Sequence, residues 1–124
     1  MSVIARTKVE HFNEVAEVVS TAGATGGVYF DFAGADNRTV VLLANSNSSA
    51  ATVTIVKGNG LAGVADLAVS VPGNKTVAMR LDSAAFKIVN PELDSDGEPT
   101  IVENKGSIKI KSPATVNVSV IELP

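Results

Sequence analysis

A two-residue alternation of apolar and polar side chains recurs along most of the chain. In residues 52–57, Val53 and Ile55 alternate with Thr52 and Thr54. Successive side chains of a β-strand point to opposite faces of a sheet, so this pattern is typical of a strand with one buried face. The same alternation occurs in residues 66–71, 76–81, 107–111 and 115–120. The chain is therefore predicted to consist mainly of short strands.

Two further segments depart from simple alternation. Residues 39–44 are apolar apart from the initial Thr39, which predicts a central strand whose outer face is covered by another part of the chain or by a partner. Residues 27–32 hold three of the five aromatic side chains. Alternation there predicts an inward set and an outward set of side chains, namely Val28, Phe30 and Phe32 inward and Tyr29 and Asp31 outward.

Polar and glycine-containing turns separate these strands, as at residues 45–49 and at Pro72-Gly73. Short strands joined by such turns predict an all-β fold, an antiparallel β-sandwich of about nine strands. We divide the chain into an extended N-terminal arm, residues 1–12, and a single sandwich domain, residues 13–124. Within that domain, residues 14–21 are predicted to begin the sandwich as a strand, although residues 9–19 also fit one face of a helix.

Composition argues against several classes of function. The 124 residues include no Cys and no Trp, and ten Lys and Arg against thirteen Asp and Glu leave a net charge of −3 with the single His neutral. No basic field attracts nucleic acid or anionic lipid, and no apolar run reaches the length of a membrane span. Thiolate metal sites and disulfides are excluded. His11 has no serine in a nucleophile motif to activate, so we predict no catalytic residues and no enzyme activity.

One glycine motif matches a nucleotide-binding pattern by spacing alone. Residues 58–63 read G-N-G-L-A-G, which fits G-x-G-x-x-G. A dinucleotide site needs a helix that starts in this loop, because the amides at its first turn bind the pyrophosphate. Residues 62–71 instead lead into strand alternation, so a glycine-rich turn or bulge is the better interpretation and no cofactor is predicted.

A cluster of carboxylates lies in the loop formed by residues 91–104. Its acidic residues resemble a site for a hard cation such as Ca²⁺ only in composition, since their spacing lacks the later bidentate Glu and a third oxygen ligand before the glycine. They are Glu92, Asp94, Asp96 and Glu98. We interpret this segment as a solvated surface loop and predict no metal site.

Three lysines, Lys105, Lys109 and Lys111, recur at every second or fourth position around the strand 107–111. Charge along one face of a strand commonly keeps an edge strand soluble and unpaired. This pattern therefore predicts that the strand lies at the edge of a sheet.

Several stretches of the chain resemble small structural proteins of tailed bacteriophages and prophages, namely capsid decoration (cement) proteins. The resemblance rests on residues 36–45, 51–67, 71–72, 81–87 and 116–123. It covers roughly residues 10–90 and the closing strand, and its motifs are glycine and strand patterns. The resemblance implies a sandwich of immunoglobulin-like or jelly-roll type, between which the sequence does not choose.

The same resemblance implies a non-enzymatic virion protein that is made in the host cytoplasm and binds the outer surface of the capsid. Its implied partners are the major capsid protein and further copies of itself, with a trimer among the candidate homo-oligomers, and neither nucleic acid nor a membrane. An apolar arm suits a contact laid across a neighbour. The residues predicted to bind the partner are Val3, Ile4, Val9, His11 and Phe12. The alternatives are a carbohydrate-binding or adhesin-like sandwich and a tail or baseplate component.

Overall fold

The computed structural model describes residues 2–11, 13–32, 38–58, 63–88 and 106–123, which form ten strands and one short helix. In chain order these are β1 (Ser2–Val3), β2 (Arg6–Lys8), β3 (Ser20–Ala22), β4 (Val28–Asp31), β5 (Thr39–Asn45), β6 (Ala51–Ile55), β7 (Leu67–Val71), β8 (Thr76–Met79), α1 (Ser83–Phe86), β9 (Ser107–Lys111) and β10 (Val116–Glu122). The predicted all-β fold is confirmed.

The strands form two sheets that face each other. Sheet A has the strand order β1-β4-β9-β6-β7, and sheet B has the order β2-β10-β5-β8. In sheet B, β3 lies on the same side of β10 as β2, so that β2 pairs with residues 120–122 and β3 with residues 117–119. The pairing is antiparallel except between β1 and β4 and between β2 and β10. These two sheets make the protein a β-sandwich.

A single apolar core fills the space between the sheets. Sheet A contributes Val28, Phe30, Val53, Ile55, Val71, Ile108 and Ile110, and sheet B contributes Val41, Leu43, Val116, Val118 and Val120. Nearly all of these are fully shielded from solvent, and the rings of Phe30 and Phe32 lie 5.9 Å apart in a tilted arrangement. Most of the residues that alternation assigned to the inner faces therefore form the core, because each strand turns every second side chain toward the facing sheet. At the sheet edges the assignment holds less well, since Leu67 in β7 is exposed and Val77 in β8 is only half-buried.

The prediction for residues 39–44 is confirmed in its first part, since β5 lies between β10 and β8. Its inner side chains are buried, whereas Val40, Leu42 and Ala44 on its outer face are half-buried. None of the described strands, and not α1, forms a further layer over that outer face, which therefore lies at the surface of the described structure.

The predicted edge position of strand 107–111 is wrong. β9 pairs with β4 on one side and with β6 on the other, which places it in the interior of sheet A. Its lysines point to the outer face of the sheet, where the Nζ of Lys109 lies 5.5 Å from the centre of the Tyr29 ring. A lysine stem covering an aromatic ring in this way explains why Tyr29, on the outer face as predicted, is nevertheless only 4 % exposed.

Residues 2–8, within the predicted arm, pass from one sheet to the other. β1 pairs with β4 in sheet A, and β2 pairs with β10 in sheet B. Between them, the backbone N–H of Ile4 donates to the carbonyl of Tyr29 at 2.7 Å, and the Ile4 side chain is 2 % exposed in the core. The beginning of the chain thus closes one side of the sandwich by joining both layers.

The strand predicted over residues 14–21 is shorter than expected. Only Ser20–Ala22 pairs with β10, and residues 14–19 form no ladder with any described strand. The β-branched composition of these residues favours an extended chain, but a strand needs a neighbouring edge to pair with. The edge of β10 at this level is already occupied by β2.

Candidate partner-binding surfaces

The first two residues predicted to bind a partner lie on opposite sides of the chain. Val3, in β1, is 68 % exposed, whereas Ile4 lies in the protein's own core. Consecutive residues of an extended chain point in opposite directions, so only one of the two is available at the surface. Val3 is therefore the exposed apolar residue of this pair.

The remaining three predicted residues fall at the end of the arm. Val9 is half-buried, and its N–H donates to the carbonyl of Glu122 at 3.0 Å, which continues the pairing of β2 with β10. His11 is exposed, and Phe12 lies outside the described residues. Val9, together with Lys8, Glu10, Glu122 and Leu123, lines a shallow cleft of about 130 Å³.

A turn after β2 reverses the direction of the chain. One carboxylate oxygen of Glu14 accepts hydrogen bonds from the backbone N–H of Glu10 at 3.0 Å and of His11 at 2.9 Å. Asn13 adopts φ = 62°, a left-handed conformation that asparagine tolerates better than most residues. The turn sends residues 14–19, which we call the valine segment, back along the outside of β2.

The valine segment exposes more apolar surface than the rest of the described N-terminal region. Val15 is 95 % exposed, Val18 46 % and Val19 49 %. The segment is held near β2 by the N–H of Val19, which donates to the Oγ1 of Thr7 at 3.2 Å. On an extended segment Val15 and Val19 point to the same side and Val18 to the other, so apolar side chains are exposed on both sides of the valine segment.

The outer face of sheet B is uncharged over all of its paired positions. Strand register places Ala44 beside Asn117 and Thr76, Leu42 beside Ser119 and Ala78, and Val40 beside Ile121. β2 and β3 extend this face with Thr7, Ser20 and Ala22. The central parts of protein interfaces are depleted of charged residues, and this face has that composition.

The outer face of sheet A is different in chemistry. It carries Asp31, Lys109 and Lys111, with Thr52 and Thr54 beside them. A shallow cleft of about 260 Å³ on this side is lined by Thr25, Thr52, Thr54, Lys111, Ser112 and Pro113. The two faces of the sandwich are thus distinct, with charge on sheet A and an uncharged surface on sheet B.

The first residue of the glycine motif has a structural explanation. A Cβ at Gly58 would lie 2.3 Å from the carbonyl oxygen of Lys87, and the Gly58 N–H donates to the carbonyl of Ala85 at 2.9 Å. Gly58 therefore permits close packing of the chain after β6 against α1. Residues 59–62 of the motif lie outside the described residues.

The described part of the chain contains neither a candidate metal site nor a helix that could span a membrane. In the described ranges, no group of three or more His, Asp or Glu residues is placed to hold a metal ion. The acidic residues at positions 92–98 lie outside those ranges, as does Lys105. Within the same described part of the chain, no helix is long and apolar enough to cross a bilayer.

The structural class of the protein, a β-sandwich, is defined by its fold alone. No protein-family model, curated protein or solved structure matches this sequence significantly. The chain is an all-β protein with two facing sheets and an N-terminal segment that joins them.

Proposed function

We propose that this chain is a non-enzymatic structural protein of a tailed-bacteriophage virion, which binds the major capsid protein on the outside of the head and stabilises the lattice. The observation that carries the proposal is the uncharged outer face of sheet B together with the exposed valine segment beside it. The resemblance of the sequence to decoration proteins supplies the partner. On this proposal the protein acts at the capsid surface after synthesis in the host cytoplasm.

The two surfaces support a protein partner in different ways. Covering an uncharged face avoids the large free-energy cost of burying unpaired charges, and the apolar side chains of Val40 and Leu42 on it favour burial. The valine segment adds exposed apolar side chains beside this face, whereas Val3, in register with Tyr29, lies on the outer face of sheet A. Many copies on a lattice make contacts of modest strength effective, because neighbouring sites act together.

The proposal is tested by cosedimentation of the purified protein with phage heads that lack it. We expect the protein to pellet with the heads, and we expect Leu42→Lys to reduce the bound fraction strongly. The matched control is Thr54→Lys, which places the same charge on the outer face of sheet A. Equal binding by wild type and Leu42→Lys would remove sheet B from the proposed contact, and no pelleting of the wild type would reject capsid binding.

A glycan array distinguishes the carbohydrate-binding alternative with the same purified protein. The proposed capsid function predicts no specific signal. A specific glycan signal combined with failure to bind heads would assign the protein to the carbohydrate-binding class instead.

A further inference from the structure

The valine segment has the composition and conformation of a strand but no strand beside it. Its sequence, Glu-Val-Ala-Glu-Val-Val, is rich in β-branched residues, which favour extended backbone. In the described structure, one backbone N–H of the segment donates a hydrogen bond to the sandwich, namely that of Val19 to the side chain of Thr7. Apart from the N–H of Glu14, which donates to the carbonyl of His11 at 3.4 Å, its other backbone groups are not paired with any described strand and can pair with a second chain.

On the far side of sheet B, the outer edge of β8 pairs with no strand in the described part of the chain. The N–H of Asn45 donates to the carbonyl of Lys75 at 2.9 Å, which makes these two a hydrogen-bonded pair of the antiparallel ladder with β5. Such pairs alternate along a ladder, so the backbone groups of Val77 also point toward β5 while those of Thr76 and Ala78 point away from it. No described strand accepts them, because β8 is the last strand of sheet B.

As an edge strand, β8 is protected only by its short length and by the exposed cations at its two ends, Lys75 and Arg80. Natural edge strands are commonly interrupted by proline, by a bulge or by charged side chains. The four residues of β8, Thr-Val-Ala-Met, contain none of these, and they pair with β5 in unbroken register. An edge of this kind is suited to the addition of one more strand.

Charge favours the valine segment as the strand that β8 receives. Glu17 of the segment is exposed and forms no ion pair with a described residue, and β8 is flanked by the exposed cations Lys75 and Arg80. Among the other terminal strands of the two sheets, β1 has only two residues, and β7 is preceded by Asp66, which repels an acidic segment. Pairing of β8 with its own copy is disfavoured, since an antiparallel register centred on this strand brings Lys75 of one chain beside Arg80 of the other.

We propose that two copies of this chain associate head to tail, with the valine segment of one copy adding as a strand to the free edge of β8 in the next. The segment lies beside β2 at one edge of sheet B and β8 lies at the other edge, so this contact joins opposite sides of sheet B in successive copies. Because the two surfaces differ, the contact is heterologous, and repetition produces a closed ring or an open chain. The inference goes beyond the proposed capsid binding by giving a geometry to the homo-oligomer that the sequence resemblance implies, and its test contains no capsids.

Complementary variants test the head-to-tail arrangement. Glu17→Pro disables the segment as a strand, and Ala78→Pro removes an outward-pointing N–H of β8 while sparing the ladder bonds to β5. In sedimentation velocity up to millimolar protein, the wild type is expected to form oligomers and each variant alone to remain monomeric. A mixture of equal amounts is expected to form dimers and nothing larger, since one intact segment then meets one intact edge.

A charge exchange provides a second test that does not depend on proline. Glu17→Lys and Arg80→Glu are each expected to weaken self-association about fivefold at low salt, and the double variant is expected to recover most of the loss. Circular dichroism on each variant checks that the sandwich is folded. A wild type that stays monomeric at every concentration, a folded proline pair that does not combine, or a double variant that shows no recovery would each overturn the proposal.

Discussion

The guanidinium Nη1 of Arg6 lies 2.8 Å from the Oε2 of Glu122, across the parallel pair formed by β2 and β10. The two residues are 116 positions apart in the chain, and each side chain is about one-fifth exposed. This ion pair joins β2 and β10, which are the first and the last strand of sheet B in chain order. Together with the backbone bond from Val9 to Glu122, it fastens the N-terminal residues to the sandwich.

The ion pair is expected to make a measurable contribution to stability. A double-mutant cycle with Arg6→Met and Glu122→Gln should give a coupling free energy of about 0.5–1 kcal/mol, because the pair is partly shielded from water. Denaturant unfolding at low salt measures it, and molar salt should reduce it. A coupling energy of zero at low salt would show that the two side chains do not interact in solution.

Ile4 is expected to stabilise the fold as a core residue. Ile4→Ala should lower the free energy of unfolding by about 2–4 kcal/mol, the usual cost of emptying a buried aliphatic site. Val3→Ala is the matched control, and with its side chain 68 % exposed it should change stability by less than about 0.5 kcal/mol. Urea titrations of both variants measure the difference, and equal stabilities would mean that residues 2–8 do not pack as described.

Asn45 is expected to hold one end of the sandwich together. Its Nδ2 donates to the carbonyls of Ser49 at 2.9 Å and Val71 at 3.1 Å, and its Oδ1 accepts from the N–H of Asn47 at 3.0 Å. Asn45→Ala removes these three bonds, leaves the buried carbonyl of Val71 without this donor, and should cost about 1–3 kcal/mol. Asn47→Ala, at an exposed position two residues away, should cost less than about 1 kcal/mol, and thermal unfolding compares the two.

Gly58 is expected to tolerate no side chain. Gly58→Ala brings a Cβ to 2.3 Å from the Lys87 carbonyl oxygen, and the displacement of backbone that this requires should cost about 1–3 kcal/mol. Gly26→Ala is the control, since a Cβ there meets nothing within 4 Å. Calorimetry of both variants provides the comparison, and a Gly58→Ala protein as stable as the control would contradict the close approach to α1.

The parts of the fold that follow from local side-chain alternation could be predicted from the sequence. The strand at Ser107–Lys111 was predicted with its observed bounds, and β5 with one residue less. Alternation identifies faces because it depends only on neighbouring residues, whereas the position of a strand within its sheet depends on distant ones. For that reason the sequence indicated an edge position for β9, although two other strands enclose it.

The candidate site was predictable only in part, for the same physical reason. The apolar residues 39–44 did indicate a central strand whose outer face is covered by the chain or by a partner, but the uncharged surface around them becomes visible only when register brings β10 and β8 beside β5. In the arm, two apolar residues in succession could not show which one is buried. The pairing of β1 with β4 decides this and places Ile4 in the core.

The most direct test of the proposed function is a comparison by cryo-electron microscopy of phage heads assembled with and without this protein. The account predicts that heads lacking it lose surface density of the size of a two-sheet sandwich, that addition of the purified protein restores this density, and that the outer face of sheet B lies against the capsid. Heads that are identical in the two preparations, or density found on the tail alone, would contradict it.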